Sequence, residues 1–110
     1  MLPKAHRFTK NDFSNIFNSA DTKRIRSFFF TVLVADQSSG DMKVAVIVSK
    51  KKLKKASDRN YIKRVIRHFA YQNKEQLKSK SYVFIPNQNI NQATKETLWQ
   101  DLEKLLIKLI

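Results

Sequence analysis

The sequence has no cysteine, which excludes disulfide bonds, thiolate zinc sites and cysteine nucleophiles. It has one glycine, Gly40, so it lacks the glycine-rich loops with which common nucleotide-hydrolysing proteins hold phosphates. No stretch approaches the roughly 20 apolar residues that a bilayer-spanning helix needs, and the N-terminal residues lack the apolar core of a signal peptide. These absences predict a cytoplasmic protein.

Acidic and histidine side chains are also scarce. The nine Asp and Glu residues are scattered along the chain without the spacing of a metal site, which argues against a metal-dependent nuclease. The two histidines, His6 and His68, have no evident partner for acid–base catalysis. The sequence therefore predicts no catalytic residue in this chain and identifies no metal ligand, so any chemistry would take place on another molecule.

Basic residues, in contrast, are abundant and concentrated. The chain has 22 Lys and Arg residues and a formal net charge of +13, which favours a polyanionic partner such as nucleic acid or an anionic membrane. The stretch Lys50–Arg67 holds nine basic residues and one acid, whereas the chain from Pro86 onward holds three of each. This local excess of charge indicates a binding surface rather than general solubility.

The hydrophobic pattern predicts one α+β domain over residues 1–110. Helices are predicted near Thr9–Phe17, from a cap at Ser57 or Asp58 onward, and along the leucine-rich end that includes Leu98, Leu102, Leu105, Leu106 and Leu109. Strands are predicted at Ser27–Ala35, Lys43–Ser49 and Ser81–Pro86. A hairpin turn containing Gly40 is expected to join the first two strands.

The predicted central helix separates apolar and basic side chains. Its apolar face consists of Ile62, Val65, Ile66 and Phe69. An adjoining sector, centred roughly 140° away, consists of Arg59, Asn60, Lys63, Arg64 and Arg67. Acids spaced to pair with these charges are missing, so the cations repel one another unless an anion compensates them. Phosphates do so with release of counterions, and the pattern therefore predicts nucleic-acid binding.

Several aromatic residues are candidates for stacking on single-stranded nucleic acid. Phe13 and Phe17 lie one helical turn apart, close in sequence to basic residues that could form the rims of a groove. Phe28 and Phe30 are predicted to be core, because a half-buried sheet packs one face against helices. The pattern does not decide whether the Phe29 ring lies in the core or on the surface.

The residues "VIVSKK" followed by "RNYIKRVIR" resemble the protein subunit of bacterial ribonuclease P, whose hallmark is a "GxSVSKK"-like strand end before a helix that begins "RNRxKRxxR". The opening "RFTKNDFSNIF", the strand "KSYVFIP" and the leucine-rich end are similar to that family as well. Tyr61 stands where the family has the second Arg of "RNR".

The resemblance implies a fold and a function. The fold would be an α/β sandwich with a three- to four-stranded sheet, three helices and a left-handed βαβ crossover, whose handedness follows from the resemblance alone. The protein would bind the catalytic ribonuclease P RNA, contact the 5′ leader of precursor tRNA, and raise the affinity for substrate and metal ions. The RNA would cleave the substrate with magnesium, and the protein itself would bind no cofactor.

Matching positions assign site residues by resemblance. The catalytic RNA would be bound by Lys50, Lys51, Arg59, Asn60, Lys63, Arg64 and Arg67. The leader would be bound by Phe13, Phe17, Phe29 and Thr31. Neither DNA nor a membrane is expected as a partner. The main alternative is a noncatalytic RNA-binding protein of ribosomal type, and a weaker one is a membrane-surface protein.

Overall fold

The computed structural model describes residues 22–36, 42–77 and 80–109. The predicted N-terminal helix, with Phe13 and Phe17, lies outside the described residues, as does the predicted turn at Gly40.

A four-stranded mixed sheet lies at the centre of the described structure. Its strands are β1 (Lys23–Arg26), β2 (Phe30–Asp36), β3 (Lys43–Val46) and β4 (Lys80–Pro86). Their spatial order is β1-β2-β4-β3, with β2 antiparallel to both neighbours and β3 parallel to β4. The four strands agree with the predicted three- to four-stranded sheet.

The prediction that the first two strands form a hairpin is wrong. The strands β2 and β3 do not pair, because β4 lies between them. Tyr82, Val83 and Phe84 of β4 are fully buried, so both faces of this strand are apolar and it takes a central place in the sheet. Strand β1 was not predicted, and the predicted strand from Ser27 begins only at Phe30.

Two α-helices and a short 3₁₀ helix complete the described elements. The helix α1 spans Ala56–Gln72 and provides the long connection that parallel neighbours such as β3 and β4 require. The 3₁₀ helix spans Gln88–Gln92, and α2 spans Lys95–Leu109. The left-handed sense of the β3–α1–β4 crossover and the third α-helix stay predictions.

The main hydrophobic core lies between the helices and one face of the sheet. All four residues of the predicted apolar face of α1 are buried in this core, as are Leu98, Leu102, Leu105 and Leu109 of α2. Phe30 is fully buried there, as predicted, whereas Phe28 is 60% exposed, contrary to prediction. The opposite face of the sheet carries a small apolar cluster of Leu33, Ala45 and Val83.

The start of α1 differs from the sequence expectation. Lys55 occupies the N-cap position, and no side chain caps the helix, so the predicted cap at Ser57 or Asp58 is wrong. Asp58 lies in the first turn instead, where a carboxylate interacts favourably with the helix dipole. The helix α2 has the reciprocal cap: Thr94 Oγ1 accepts from Thr97 N at 3.2 Å, and Thr97 Oγ1 accepts from Thr94 N at 2.8 Å.

Candidate nucleic-acid interface

The buried apolar face of α1 determines which way its basic residues point. With Ile62 and Ile66 in the core, Asn60, Arg64 and Arg67 are exposed, and Arg59 and Lys63 are partly exposed. Within the described part of the chain, no carboxylate forms an ion pair with Lys63, Arg64 or Arg67. We call the five polar residues 59, 60, 63, 64 and 67 the basic face of α1. Lys63, Arg64 and Arg67 therefore have no compensating negative charge within the described residues.

Arg59 has a structural role in addition to its charge. Its Nη1 donates to the carbonyl oxygens of Leu53 and Lys54, both at 2.8 Å. These bonds hold the loop that leads into α1 against the first turn of the helix. Because a guanidinium carries five N–H groups, the remaining ones can still bind an anion.

The lysines that follow β3 divide into two kinds. Lys50 and Lys51 are exposed on a turn in which Ser49 Oγ accepts from Lys51 N at 3.1 Å. Lys52 instead donates from Nζ to the carbonyl oxygen of Pro86, at the end of β4, at 2.6 Å. Lys52 therefore attaches this loop to the sheet, while the side chains of Lys50 and Lys51 are exposed to solvent beside the start of α1.

Tyr61, which stands where the family has Arg, packs at the side of the basic face. It is partly buried and contacts the main core, and the Arg64 guanidinium carbon lies 6.0 Å from its ring centroid. It also lines a cavity of about 170 Å³ between α1, the 3₁₀ helix and the start of α2, together with Asp58, Asn91 and Leu98. Its position favours packing at the helix edge over an exposed stacking role.

The predicted leader-binding residues are not brought together among the described residues. Phe13 and Phe17 lie outside them. Thr31 is partly exposed on the sheet face opposite the main core, where its Oγ1 donates to Asn87 Oδ1 at 2.9 Å. Phe29 is only 4% exposed and belongs to the main core, so its ring offers no surface on which a base could stack, and its assignment as a leader contact is corrected.

The placement of Phe29 follows from the turn that contains it. Phe28 and Phe29 lie between β1 and β2, outside both strands, so the alternation of faces along a strand does not apply to them. The sequence pattern predicted a continuous strand and therefore put Phe28 and Phe30 on one face. In the structure Phe28 is the exposed ring and Phe29 the buried one.

Arg24 and Arg26 are basic residues that the sequence reasoning did not place on a strand. They lie opposite Leu33 and Thr31 in the β1–β2 register, and cross-strand partners share a face of the sheet. Both are exposed, while Ile25 between them packs against the main core. The alternation in "KRIR" was the signal that could have revealed this strand. The face that carries Thr31 thus has an arginine pair along the β1 edge.

In the described ranges, no group of three or more His, Asp or Glu residues could hold a metal ion. His68 is exposed, and its ring meets the Trp99 ring edge-on at 6.2 Å. None of the helices described is both long and apolar enough to span a bilayer.

The fold and the distribution of charge define a small α+β protein with an exposed basic helix face, a feature typical of nucleic-acid-binding proteins. Comparison with known proteins narrows this class. Residues 2–110 match the family model described as Ribonuclease P. The chain belongs to the ribonuclease P protein family, which confirms the resemblance and the predicted function as the protein component of this tRNA-processing ribonuclease.

Individual relatives cover most of the chain. A ribonuclease P protein component of Picosynechococcus sp. is 32% identical over 109 residues, which make up 97% of this chain and 92% of that protein. The corresponding protein of Pseudoalteromonas translucida is 32% identical over 101 residues, 92% of this chain and 71% of that one.

Solved structures agree with the fold described above. The RNase P protein of Staphylococcus aureus superimposes with a TM-score of 0.84 at 29% identity, covering 96% of this chain and 95% of that one. The RNase P protein of Thermotoga maritima gives a TM-score of 0.75 at 28% identity, with 94% of each chain covered. The α+β class predicted from the sequence is confirmed.

Proposed function

We propose that the basic face of α1, with Lys50 and Lys51, binds the catalytic RNA of ribonuclease P, and that this RNA removes the 5′ leader from precursor tRNA. The observation that carries the proposal is the set of exposed cations on α1 that have no carboxylate partner among the described residues. Phosphates compensate such charges with release of counterions, and Arg64 and Arg67 add forked hydrogen bonds.

The rigid support of these cations favours a role in assembly. The buried side of α1 holds the helix against the sheet, and Arg59 and Lys52 hold the loop before it through hydrogen bonds to carbonyl oxygens. The cations therefore have a preset arrangement, and binding a folded RNA orders little additional chain. The chemistry of cleavage stays with the RNA, because this protein contributes binding and orientation.

We also propose that the sheet face with Thr31, Arg24 and Arg26 contributes to binding the 5′ leader, together with Phe13 and Phe17. The arginine pair supplies cations beside an apolar cluster, which suits an extended single strand. We also propose that the β3–α1–β4 crossover is left-handed and that the chain has an N-terminal helix. We place this activity in the cytoplasm, where bacterial precursor tRNAs are found.

Magnesium enters the proposal through the RNA. The acidic side chains in the described ranges do not form a cluster that fits a divalent cation. We propose that RNA phosphates hold the ions that cleavage requires. The protein would raise metal-ion affinity indirectly, by stabilising the RNA fold that binds them.

Reconstitution tests the proposal. Adding the protein to the cognate catalytic RNA should accelerate 5′ maturation of precursor tRNA at low magnesium. The double variant Arg64→Ala/Arg67→Ala should bind the RNA more weakly and flatten the dependence of log affinity on log salt by up to roughly one unit per lost phosphate contact. Both side chains are exposed, so the variant should fold normally.

A matched control is Lys95→Ala/Lys104→Ala, which removes the same charge from two exposed lysines of α2. It should retain nearly all of the affinity and salt dependence. An equal loss in both double variants would show that only total charge matters and would contradict the assignment to α1. Tight RNA binding without any acceleration of cleavage would favour the noncatalytic RNA-binding alternative.

A further inference from the structure

Phe28 is a large aromatic residue that the structure leaves 60% exposed. It lies with Phe29 in the two-residue turn between β1 and β2, which Ser27 N closes by donating to the Phe30 carbonyl at 2.8 Å. Single exposed apolar residues are common on protein surfaces and need no special explanation. The way in which this turn is held sets Phe28 apart from them.

A buried carboxylate from α2 holds the turn from one side. Asp101 is 7% exposed and accepts three hydrogen bonds: from Ser27 Oγ at 2.7 Å, from Phe28 N at 3.2 Å and from Phe29 N at 3.1 Å. Hydrogen bonds to a carboxylate are stronger than those between neutral groups, and they satisfy the buried charge. The peptide groups that carry Phe28 are therefore constrained.

The residues that follow β4 hold the turn from the other side. Asn87 N donates to the Phe29 carbonyl at 2.7 Å, and Asn87 Nδ2 donates to the Ser27 carbonyl at 3.1 Å. Asn89 Nδ2 donates to the Phe28 carbonyl at 3.3 Å. The Phe28 ring itself meets the buried Phe29 ring edge-on, with centroids 4.8 Å apart. The exposed Phe28 ring thus projects from a turn whose backbone is held by hydrogen bonds on both sides.

Phe28 lies at the same edge of the sheet as the lysine loop. The strands β3 and β4 are parallel and end at this edge, where Pro86 pairs with Phe30 at the start of β2. Lys52 binds the Pro86 carbonyl, and the next residue, Asn87, binds the turn that carries Phe28. The ring therefore lies on the edge that also carries Lys50 and Lys51 and leads into α1.

We propose that Phe28 is an RNA contact whose ring stacks on an unpaired nucleobase, while the neighbouring cations bind the phosphates of the same RNA. This inference rests on the proposed function, because it adds a base-stacking residue to that RNA-binding surface. Aromatic rings bind bases of any sequence through their faces, so the catalytic RNA and the precursor tRNA are both chemically suitable sources of the base.

The test compares three variants with the parent protein. Phe28→Ala removes the ring, Phe28→Trp keeps a stacking surface, and Ile107→Ala removes an apolar side chain that is 75% exposed on α2. Affinity is measured for the catalytic RNA alone, and then for the assembled enzyme with precursor tRNA that has or lacks a 5′ leader. The two arms identify the RNA that supplies the base.

Phe28→Ala should weaken binding about 5- to 150-fold in one of these arms, the range expected for loss of one stacked base. Phe28→Trp and Ile107→Ala should bind like the parent. The salt dependence of Phe28→Ala should equal that of the parent, because stacking releases no counterions. In Phe28→Trp, RNA should quench fluorescence beyond the change that the parent's Trp99 shows.

Some results would overturn the inference. Parent-like affinity of Phe28→Ala in every arm would do so, as would an equal loss in Ile107→Ala. If Phe28→Ala unfolds, the fluorescence of Phe28→Trp decides, and absence of extra quenching then contradicts stacking. Failure of the parent protein to bind RNA would instead overturn the proposed function, and this inference with it, so the two failures are distinguishable.

Discussion

Asp101 should be one of the most sensitive polar residues of the described structure. Its carboxylate accepts from one hydroxyl and two backbone N–H groups of the β1–β2 turn, which precedes it by more than 70 residues. Replacing Asp101 by Ala removes all three acceptor contacts and leaves the donors without their partner. The change tests whether one side chain of α2 holds this turn in place.

The expected loss can be estimated from the surroundings of each donor. The Phe29 N–H is buried, and an unsatisfied buried donor costs about 1 to 3 kcal/mol. The Ser27 hydroxyl and the Phe28 N–H are partly buried, so water can replace their partner at about 0.5 kcal/mol each. The sum is about 3 kcal/mol of unfolding free energy, which corresponds to about 12 °C in Tm for a chain of this size.

Urea denaturation, monitored by circular dichroism, measures this loss of unfolding free energy. Asp101→Asn should fall between the parent and Asp101→Ala, because the amide keeps one oxygen acceptor but turns a donor toward another donor. Glu103→Ala is the control, since it removes an exposed carboxylate from the same helix and should cost less than about 0.5 kcal/mol. If Asp101→Ala were as stable as Glu103→Ala, the carboxylate would not support the turn.

Two further predictions concern Tyr82 and the lysine loop. Burial, with a smaller effect of Asp36, raises the pKa of Tyr82 to about 12, so stability should fall as pH rises from about 10 to 12. Tyr82→Phe should reduce this decrease in stability at high pH. At pH 7 it should leave the free energy of unfolding unchanged, because the buried hydroxyl has no hydrogen-bond partner in the described structure. A clear loss of stability at pH 7 would contradict this expectation. Lys52→Met should lower the free energy of unfolding, measured by urea denaturation, by about 1 kcal/mol without altering the fold. Lys51→Met should lower RNA affinity and leave stability unchanged. The reverse pattern would contradict the roles assigned to these two lysines.

The two faces of α1 were predictable from the sequence because a helix repeats every 3.6 residues. Once Ile62, Val65, Ile66 and Phe69 pack inward, the direction of the basic side chains follows without knowledge of the rest of the fold. The strand β4 and the amphipathic α2 were predictable in the same way, from local patterns of apolar residues.

The order of the strands was not predictable in this way, because pairing joins residues that are distant along the chain. The sequence pattern predicted that β2 and β3 pair as a hairpin, but in the structure the more deeply buried β4 lies between them. The turn at Phe28 and Phe29 is a similar case. Their aromatic side chains favour a strand, yet Asp101 and Asn87 provide the partners that hold a turn.

The sequence by itself determined the concentration of positive charge, the helix that presents it and the family motif, since all three depend on neighbouring residues. The tertiary structure decided which of the similar residues are available to RNA. Lys52 is held by the Pro86 carbonyl while Lys50 and Lys51 are exposed, and Phe29 is buried while Phe28 is exposed. The physical reason is that a side chain's availability depends on acceptors and packing surfaces from distant segments, which meet it only in the folded chain.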